Sequence, residues 1–201
     1  MPRSPANTGH REFGVQQEFV EGWPRRSYGS SMSVRDDILE QARQFAGAHE
    51  HQPTPEQLVG FFVTAQCGGA PTLAEAARSL AKLTYGVYVG KIDDAHVRHW
   101  CGIFACAVLV KAGLGVRWDL KYGTGIKHMR GPSVTKLSGH TGIRPGDVAI
   151  DNAGHGHHFI ITRVDSNTVD SIDGNTKGNM IRRVPGKHIA TIAAYYKIGS
   201  N

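Results

Sequence analysis

The segment from Cys101 to Ala112 constrains the fold most, because it predicts a helix that is apolar on every side. The apolar residues on its sides are Ile103, Phe104, Ala107, Val108, Leu109 and Val110. A helix without a polar face is buried on all sides in a globular protein. Gly113 follows as the expected C-terminal cap. The rest of the domain must therefore pack around this helix, with Cys101 at the helix N-terminus.

Helical signals also precede this segment. Ser33 with Asp36 three residues later has the pattern of a capping box, and Thr54 stands before a proline that suits a first helical turn. Thr72 begins a further capping pattern. Apolar residues follow each of these starts at helical spacing, so we expect the segment 32–95 to be helical.

The periodicity changes to two after Pro145-Gly146. Apolar and polar residues then alternate between short turns, which is typical of antiparallel strands. The predicted strands are Asp147–Asp151, His158–Val164, Thr168–Ile172, Asn179–Val184 and His188–Ile198. Residues 115–144 are rich in glycine and are expected to form an irregular loop region that faces a substrate. Helices followed by antiparallel strands predict an α+β fold.

The length and charge of the chain limit the classes of function. At 201 residues it fits one main domain over 96–201, preceded by the helical segment and by an irregular or disordered leader at 1–31. The net charge of +6 suggests anionic surroundings such as nucleic acid, a membrane surface or a bacterial wall polymer. The basic residues are scattered, which favours an ordinary solvated surface over a nucleic-acid interface. No apolar run is long enough for a membrane-spanning helix, and no secretory signal is visible.

Three cysteines, Cys67, Cys101 and Cys106, do not have the number or spacing of a disulfide framework. Cys106 lies in mid-helix among small apolar residues and Cys67 precedes two glycines, so both are expected to be structural. Cys101 differs, because the free N–H groups and the dipole of a helix N-terminus favour the thiolate, the nucleophilic form of cysteine. Cys101 is therefore the predicted nucleophile.

Polar residues downstream supply the partners that a nucleophilic cysteine needs. His158 begins an apolar strand, and Asp173 and Asn175 lie at the end of the next one. A two-residue turn or a four-residue loop between these strands places His158 opposite Asn175, whereas a three-residue turn places His157 there. Asp173 is near in either register. The residues provide a nucleophile, a proton shuttle and an orienting group, and turn counting leaves the choice of histidine open.

The cluster His155-Gly156-His157-His158 has a second interpretation, because His-x-His is a spacing found in zinc sites. Binuclear zinc hydrolases usually continue with an aspartate and a further histidine, whereas Phe159, Ile160 and Ile161 follow here. We therefore predict no metal ligands and no cofactor. A non-catalytic module whose histidines bind a metal is the alternative.

Four motifs resemble the CHAP and NlpC-type branch of the papain-like superfamily, whose members are cysteine amidases and endopeptidases of bacterial peptidoglycan. The resemblance covers roughly residues 96–198 and does not extend to residues 1–95. The motifs are Trp100-Cys101-Gly102-Ile103-Phe104, Arg144-Pro145-Gly146-Asp147-Val148, His158-Phe159-Ile160-Ile161 and Ile172-Asp173-Gly174-Asn175. Their order and spacing carry the resemblance, since each motif alone is common.

The resemblance implies a papain-like core, in which a central helix carrying Cys101 packs on an antiparallel sheet, with N-terminal helices added. It implies Cys101 as nucleophile, His158 rather than His157 as general base, and Asp173 or Asn175 as the orienting residue.

The implied activity is hydrolysis of peptidoglycan amide bonds, by a phage lysin or by a toxin that a secretion machine such as type VI delivers to the periplasm or wall of a target bacterium. A toxin of this kind is expected to have an immunity protein as a partner. A cysteine protease or deamidase that acts on proteins is the enzymatic alternative.

Overall fold

A computed structural model describes residues 33–65, 100–119, 129–152 and 156–199. The helices in these ranges are Val34–Ala46 (α1), Pro55–Thr64 (α2) and Cys101–Lys111 (α3). The strands are Arg117–Trp118 (β1), Met129–Arg130 (β2), Val134–Ser138 (β3), Val148–Asp151 (β4), His158–Val164 (β5), Thr168–Thr176 (β6), Met180–His188 (β7) and Ile192–Ile198 (β8). The fold is mixed helix and antiparallel sheet, which confirms the predicted α+β class.

Six of these strands form one antiparallel sheet in the order β3-β8-β4-β5-β6-β7, and β1 pairs separately with β2. The five strands predicted from the sequence correspond to β4 through β8, although β6 and β7 are longer than expected. The last strand begins later than predicted, because a 3₁₀ turn at Ile189–Thr191 precedes it. The ring of His188 caps this turn by accepting a hydrogen bond from the N–H of Ala190.

The prediction of an irregular region at 115–144 is wrong in part, because the region contains β1, β2 and β3. Strand β3 lies at the edge of the main sheet and pairs along its whole length with β8. None of its five side chains is fully buried. Val134 and Leu137 pack against different apolar clusters, and the other three side chains are polar. The alternation that identifies a half-buried strand is therefore weak in its sequence.

Helix α3 lies at the centre of the fold, as its apolar sequence predicts. Every residue from Cys101 to Leu109 is buried. The helix packs against β5, β6 and β1 and also against α1 and α2. Its side chains form one apolar cluster with Ile160 and Ile172 of the sheet, whereas Phe159 belongs to a second cluster. Successive residues at the start of β5 therefore point to different faces of the sheet.

Arg35 joins helix α1 to the sheet. Its guanidinium donates hydrogen bonds to the carbonyl oxygens of Pro145 at 2.6 Å and Ile198 at 3.0 Å. It also forms an ion pair at 2.9 Å with Asp147, which is fully buried. Asp147 in turn accepts a hydrogen bond from the N–H of Ile198. The N-terminal helix is thus fixed to the chain segments at the start of β4 and the end of β8.

The helix starts that can be compared with the prediction agree with it. Ser33 and Asp36 form a capping box, and Thr54 and Gln57 form a pair of reciprocal hydrogen bonds at the start of α2. The leader 1–31, the segment 66–95 with Cys67 and Thr72, and His155 lie outside the described residues. No helix within the described ranges is long and apolar enough to cross a membrane.

Candidate active site

Cys101 is the first residue of helix α3, as the sequence predicts. Trp100 at the N-cap position makes no side-chain hydrogen bond to the helix, and the first turn contains no acidic residue. The partial positive charge of a helix N-terminus is therefore not offset by an acidic side chain of that turn and favours an anion there. Cys101 is only 6% exposed, so its sulfur lies in a largely dry environment.

Two histidines contact the sulfur of Cys101. Burial alone would raise the pKa of the thiol, but hydrogen bonds from His157 and His158 and the charges on these rings lower the pKa of Cys101 to about 5. A thiolate is therefore the resting form at neutral pH. This is the electrostatic environment that distinguishes reactive cysteines from structural ones.

His157 lies between this thiolate and a carboxylate. Its Nε2 is 2.9 Å from Oδ2 of Asp173, which leaves Nδ1 as the ring nitrogen that faces the sulfur. Burial would lower the pKa of His157, but its hydrogen bonds to Asp173 and Cys101 and their negative charges raise the pKa to about 10. The backbone is fixed as well, because the N–H of His157 donates to Oδ1 of Asp151. Thiolate and imidazolium therefore coexist between about pH 5 and about pH 10.

Asp173 is buried and accepts three hydrogen bonds. Its Oδ1 accepts from the hydroxyl of Ser171, and its Oδ2 accepts from His157 and from Nζ of Lys187 at 2.6 Å. Burial would raise the pKa of this carboxyl, but the hydrogen bond from His157 and the charge of Lys187 hold the pKa below its usual value. Asp173 is thus ionised at neutral pH, where His157 is protonated.

His158 occupies a different environment from its neighbour. It is 5% exposed, and its ring meets Trp118 edge-on at 5.2 Å between centroids and stacks on Tyr196 at 6.2 Å. Its Nε2 is buried and has no hydrogen-bond partner among the residues that the structure describes. His157 differs, because its Nε2 is bonded to Asp173.

The register between β5 and β6 explains why His157 meets Asp173. Val164 pairs with Val169 next to the turn, in the register that would place His158 opposite Asn175. An irregularity between Ile161 and Arg163 then shifts the pairing by one residue. Phe159 consequently lies opposite Asp173, and the expected pairing of His158 with Asn175 does not form. Because successive residues alternate between the two faces, Asp173 shares its face with Phe159 and His157 and not with His158.

The predicted site residues lie at one end of β5 and β6, beside the start of α3. Cys101 contacts both His157 and His158, and Asp173 is bonded to His157. Asn175 lies two residues beyond Asp173 with a left-handed backbone, at a φ of 58°.

The resemblance favours His158 over His157, and no motif in the sequence points to Ser171 or Lys187. The alternative register for a three-residue turn was the available signal for His157. Ser171 could have been found by its spacing, since it shares a strand face with Asp173 two residues on. Lys187 gave no such signal, because its position depends on the pairing of β6 with β7.

The metal-binding interpretation of the histidine cluster has no support from the described part of the site. Within the described ranges, no group of three or more His, Cys, Asp or Glu side chains is arranged to hold a metal ion. Nε2 of His157 is already bonded to Asp173. His155, the first histidine of the cluster, lies outside the described residues.

No protein-family model matches the chain, and it has no match among the curated proteins or the solved structures that were compared with it. An inference about function therefore depends on the site itself. The site contains a buried thiolate at a helix N-terminus, an imidazolium bonded to it and an ionised carboxylate beyond.

The low pKa of Cys101 predicts an unusual pH profile for its alkylation by iodoacetamide. We expect the rate to be nearly constant from about pH 6 to pH 9 and to fall to half near pH 5, where the thiolate is protonated. An ordinary thiol with a pKa near 8.5 would be about 300-fold less ionised at pH 6 than at high pH. Mass spectrometry of the labelled protein measures the rate.

The Cys101→Ala variant, which keeps Cys67 and Cys106, is the background control for this measurement. Cys106 is fully buried and should react only on unfolding. A half-maximal rate above pH 8 in the wild type would contradict the proposed ion pair.

Proposed function

We propose that this protein is a cysteine hydrolase that cleaves amide bonds, with Cys101 as nucleophile, His157 as general acid and base, and Asp173 as the orienting residue. The observation that carries the proposal is the continuous hydrogen-bonded series from Cys101 through His157 to Asp173. Structural cysteines have no need of such partners, whereas covalent catalysis by a thiol requires them.

The proposed reaction has two steps. The thiolate attacks the carbonyl carbon, and the oxyanion that forms is stabilised by the backbone N–H of Cys101. His157 gives its Nδ1 proton to the leaving nitrogen, so that the C–N bond breaks and an amine departs, leaving a thioester on Cys101. His157 then takes a proton from water as the water attacks the thioester. The C–S bond breaks, the carboxylic acid product leaves, and the thiolate–imidazolium pair is restored.

The assignment of the proton transfer to His157 rather than His158 revises the expectation from the resemblance. His157 has an ionised partner at 2.9 Å on one nitrogen and the sulfur beside the other. His158 also contacts the sulfur but lies between two aromatic rings. We propose that its part is to hold the thiolate in place through a second hydrogen bond.

The arrangement of the core supports a papain-like interpretation of the fold. A central helix that begins with the cysteine packs on an antiparallel sheet, and the histidine and the acid are supplied by adjacent strands. Three of the four motifs that resemble the CHAP and NlpC-type enzymes lie at the start of α3, in β5 and in β6, and the fourth leads into β4. On this basis we propose a papain-like core.

Peptidoglycan is the proposed substrate. The resemblance of the motifs supports it, and the net charge of +6 would favour association with an anionic wall. A lysin or a toxin delivered between bacteria would act on this substrate. For a toxin, we propose an immunity protein that covers the entrance to Cys101.

Purified protein incubated with sacculi from several bacteria tests this proposal. Wild type should release fragments with new amino and carboxyl ends, which mass spectrometry identifies together with the bond cleaved. Cys101→Ala should release none while it keeps the wild-type circular dichroism spectrum. If neither protein releases fragments, the wall is not the substrate, and protein substrates become the next test of the same chemistry.

A further inference from the structure

Lys187 is the charged residue of the site that the proposed mechanism does not use. It lies on β7 and its side chain is 18% exposed. Nζ is 2.6 Å from Oδ2 of Asp173, the same oxygen that accepts the hydrogen bond from His157. Nζ also lies 3.7 Å from the centre of the Phe159 ring. The ammonium is therefore held from two sides, by a carboxylate and by an aromatic face.

The charges of the site alternate in sign along the contacts. The series runs from the Cys101 thiolate to the His157 imidazolium, then to the Asp173 carboxylate and the Lys187 ammonium. These four groups carry two negative and two positive charges. Without Lys187, the same series would carry one more negative than positive charge, which is unfavourable in a largely buried environment of low dielectric constant.

We propose that Lys187 is a positioning residue of the catalytic relay, which fixes the carboxylate of Asp173 for its hydrogen bond to His157 and offsets the negative charge that this carboxylate adds beside the thiolate–imidazolium pair. This inference rests on the proposed function and extends it. Lys187 acts through Asp173, since the described contacts of Nζ are with Oδ2 of Asp173 and the Phe159 ring.

The direction of the effect follows from the charges around His157. The titratable groups that face it from the elements around it are Cys101 of α3, Asp151 of β4, His158 of β5, Asp173 of β6 and, through Asp173, Lys187 of β7. Removing the positive charge of Lys187 raises the proton affinity of the titratable groups around it. The pKa values of both Cys101 and His157 should therefore rise.

Lys187→Met tests the proposal, because methionine keeps an unbranched side chain against Phe159 but has no charge. We expect the half-maximal pH of Cys101 alkylation to rise by about half a unit to one unit, and turnover on sacculi to fall about tenfold. We also expect the His157 ring to titrate about one unit higher, as measured by NMR on histidine-labelled protein. Lys187→Arg should keep both midpoints near the wild-type values, since the charge is retained.

Two controls make the result specific. Lys197→Met removes one positive charge at an exposed position and should move neither midpoint. Lys187→Gln repeats the test if the methionine variant does not fold. The proposal is overturned if Lys187→Met leaves both midpoints at the values of the Lys197→Met control, because a merely structural lysine would behave in that way. The alkylation and NMR readouts need no substrate, so they separate this outcome from a wrong choice of substrate.

Discussion

Replacing His157 by glutamine is expected to lower kcat/KM of the proposed hydrolase about 10³- to 10⁴-fold. General acid–base catalysis by a positioned side chain contributes about 10²- to 10⁴-fold, and thiolate formation depends on the same ring. Glutamine keeps a side chain of similar length but can neither carry the charge nor transfer the proton. The pKa of Cys101 should therefore rise from about 5 toward the ordinary value of a thiol.

His158→Gln is the matched variant for this experiment, since it removes a neighbouring imidazole that also contacts the sulfur. We expect a loss of only about tenfold, because one hydrogen bond to the thiolate is removed while the pair of His157 with Asp173 remains. Rates on sacculi and the pH profile of alkylation are measured for both variants. A larger loss and a larger rise of the thiol pKa in His158→Gln would return the role of general base to His158.

The sequence predicts the position of Cys101 but does not decide which of these two histidines serves it. The apolar helix and its N-terminal cysteine follow from composition and position alone, and the structure places Cys101 at the predicted helix start. Which histidine meets Asp173 depends on one irregularity between Ile161 and Arg163. A shift of one residue exchanges the two faces of a strand, so local sequence patterns cannot fix it.

Lys187 and strand β3 were missed for a related reason. Both depend on pairing between strands rather than on a local pattern. Lys187 reaches Asp173 only because β7 pairs with β6, and β3 is held by β8, which lies far along the chain. The strands that the sequence did predict, such as β5, have buried apolar side chains that produce a clear signal. A charge partner such as Lys187 and a short strand without fully buried side chains, such as β3, leave no such signal.

The start of α3 also depends on a glycine, and replacing it should lower stability. Gly102 follows Cys101 and is buried. A Cβ added there would lie within 2.7 Å of three atoms of the Trp118 ring, which is itself buried and meets His158 edge-on. Gly102→Ala must therefore displace either the helix or Trp118, and with it the packing around His158.

We expect Gly102→Ala to lower the free energy of unfolding by about 2 kcal/mol. Overpacking costs about 1–3 kcal/mol or more, and the higher helix propensity of alanine offsets about 1 kcal/mol of it. For a chain of this size the unfolding midpoint should fall by about 4–8 °C in a calorimetric scan. Gly60→Ala is the matched control in helix α2, where an added Cβ meets nothing within 4 Å, and it should be neutral or slightly stabilising.

A second variant identifies the cause of the loss. If the clash is with Trp118, Gly102→Ala combined with Trp118→Phe should be less destabilised than the sum of the two single variants, because the smaller ring leaves room for the methyl group. Strict additivity of the two losses would mean that Gly102 and Trp118 do not meet. Thiol alkylation of Gly102→Ala adds a functional readout, since the contact of His158 with Cys101 depends on the same packing. We therefore expect the pKa of Cys101 to rise in Gly102→Ala and to remain unchanged in Gly60→Ala.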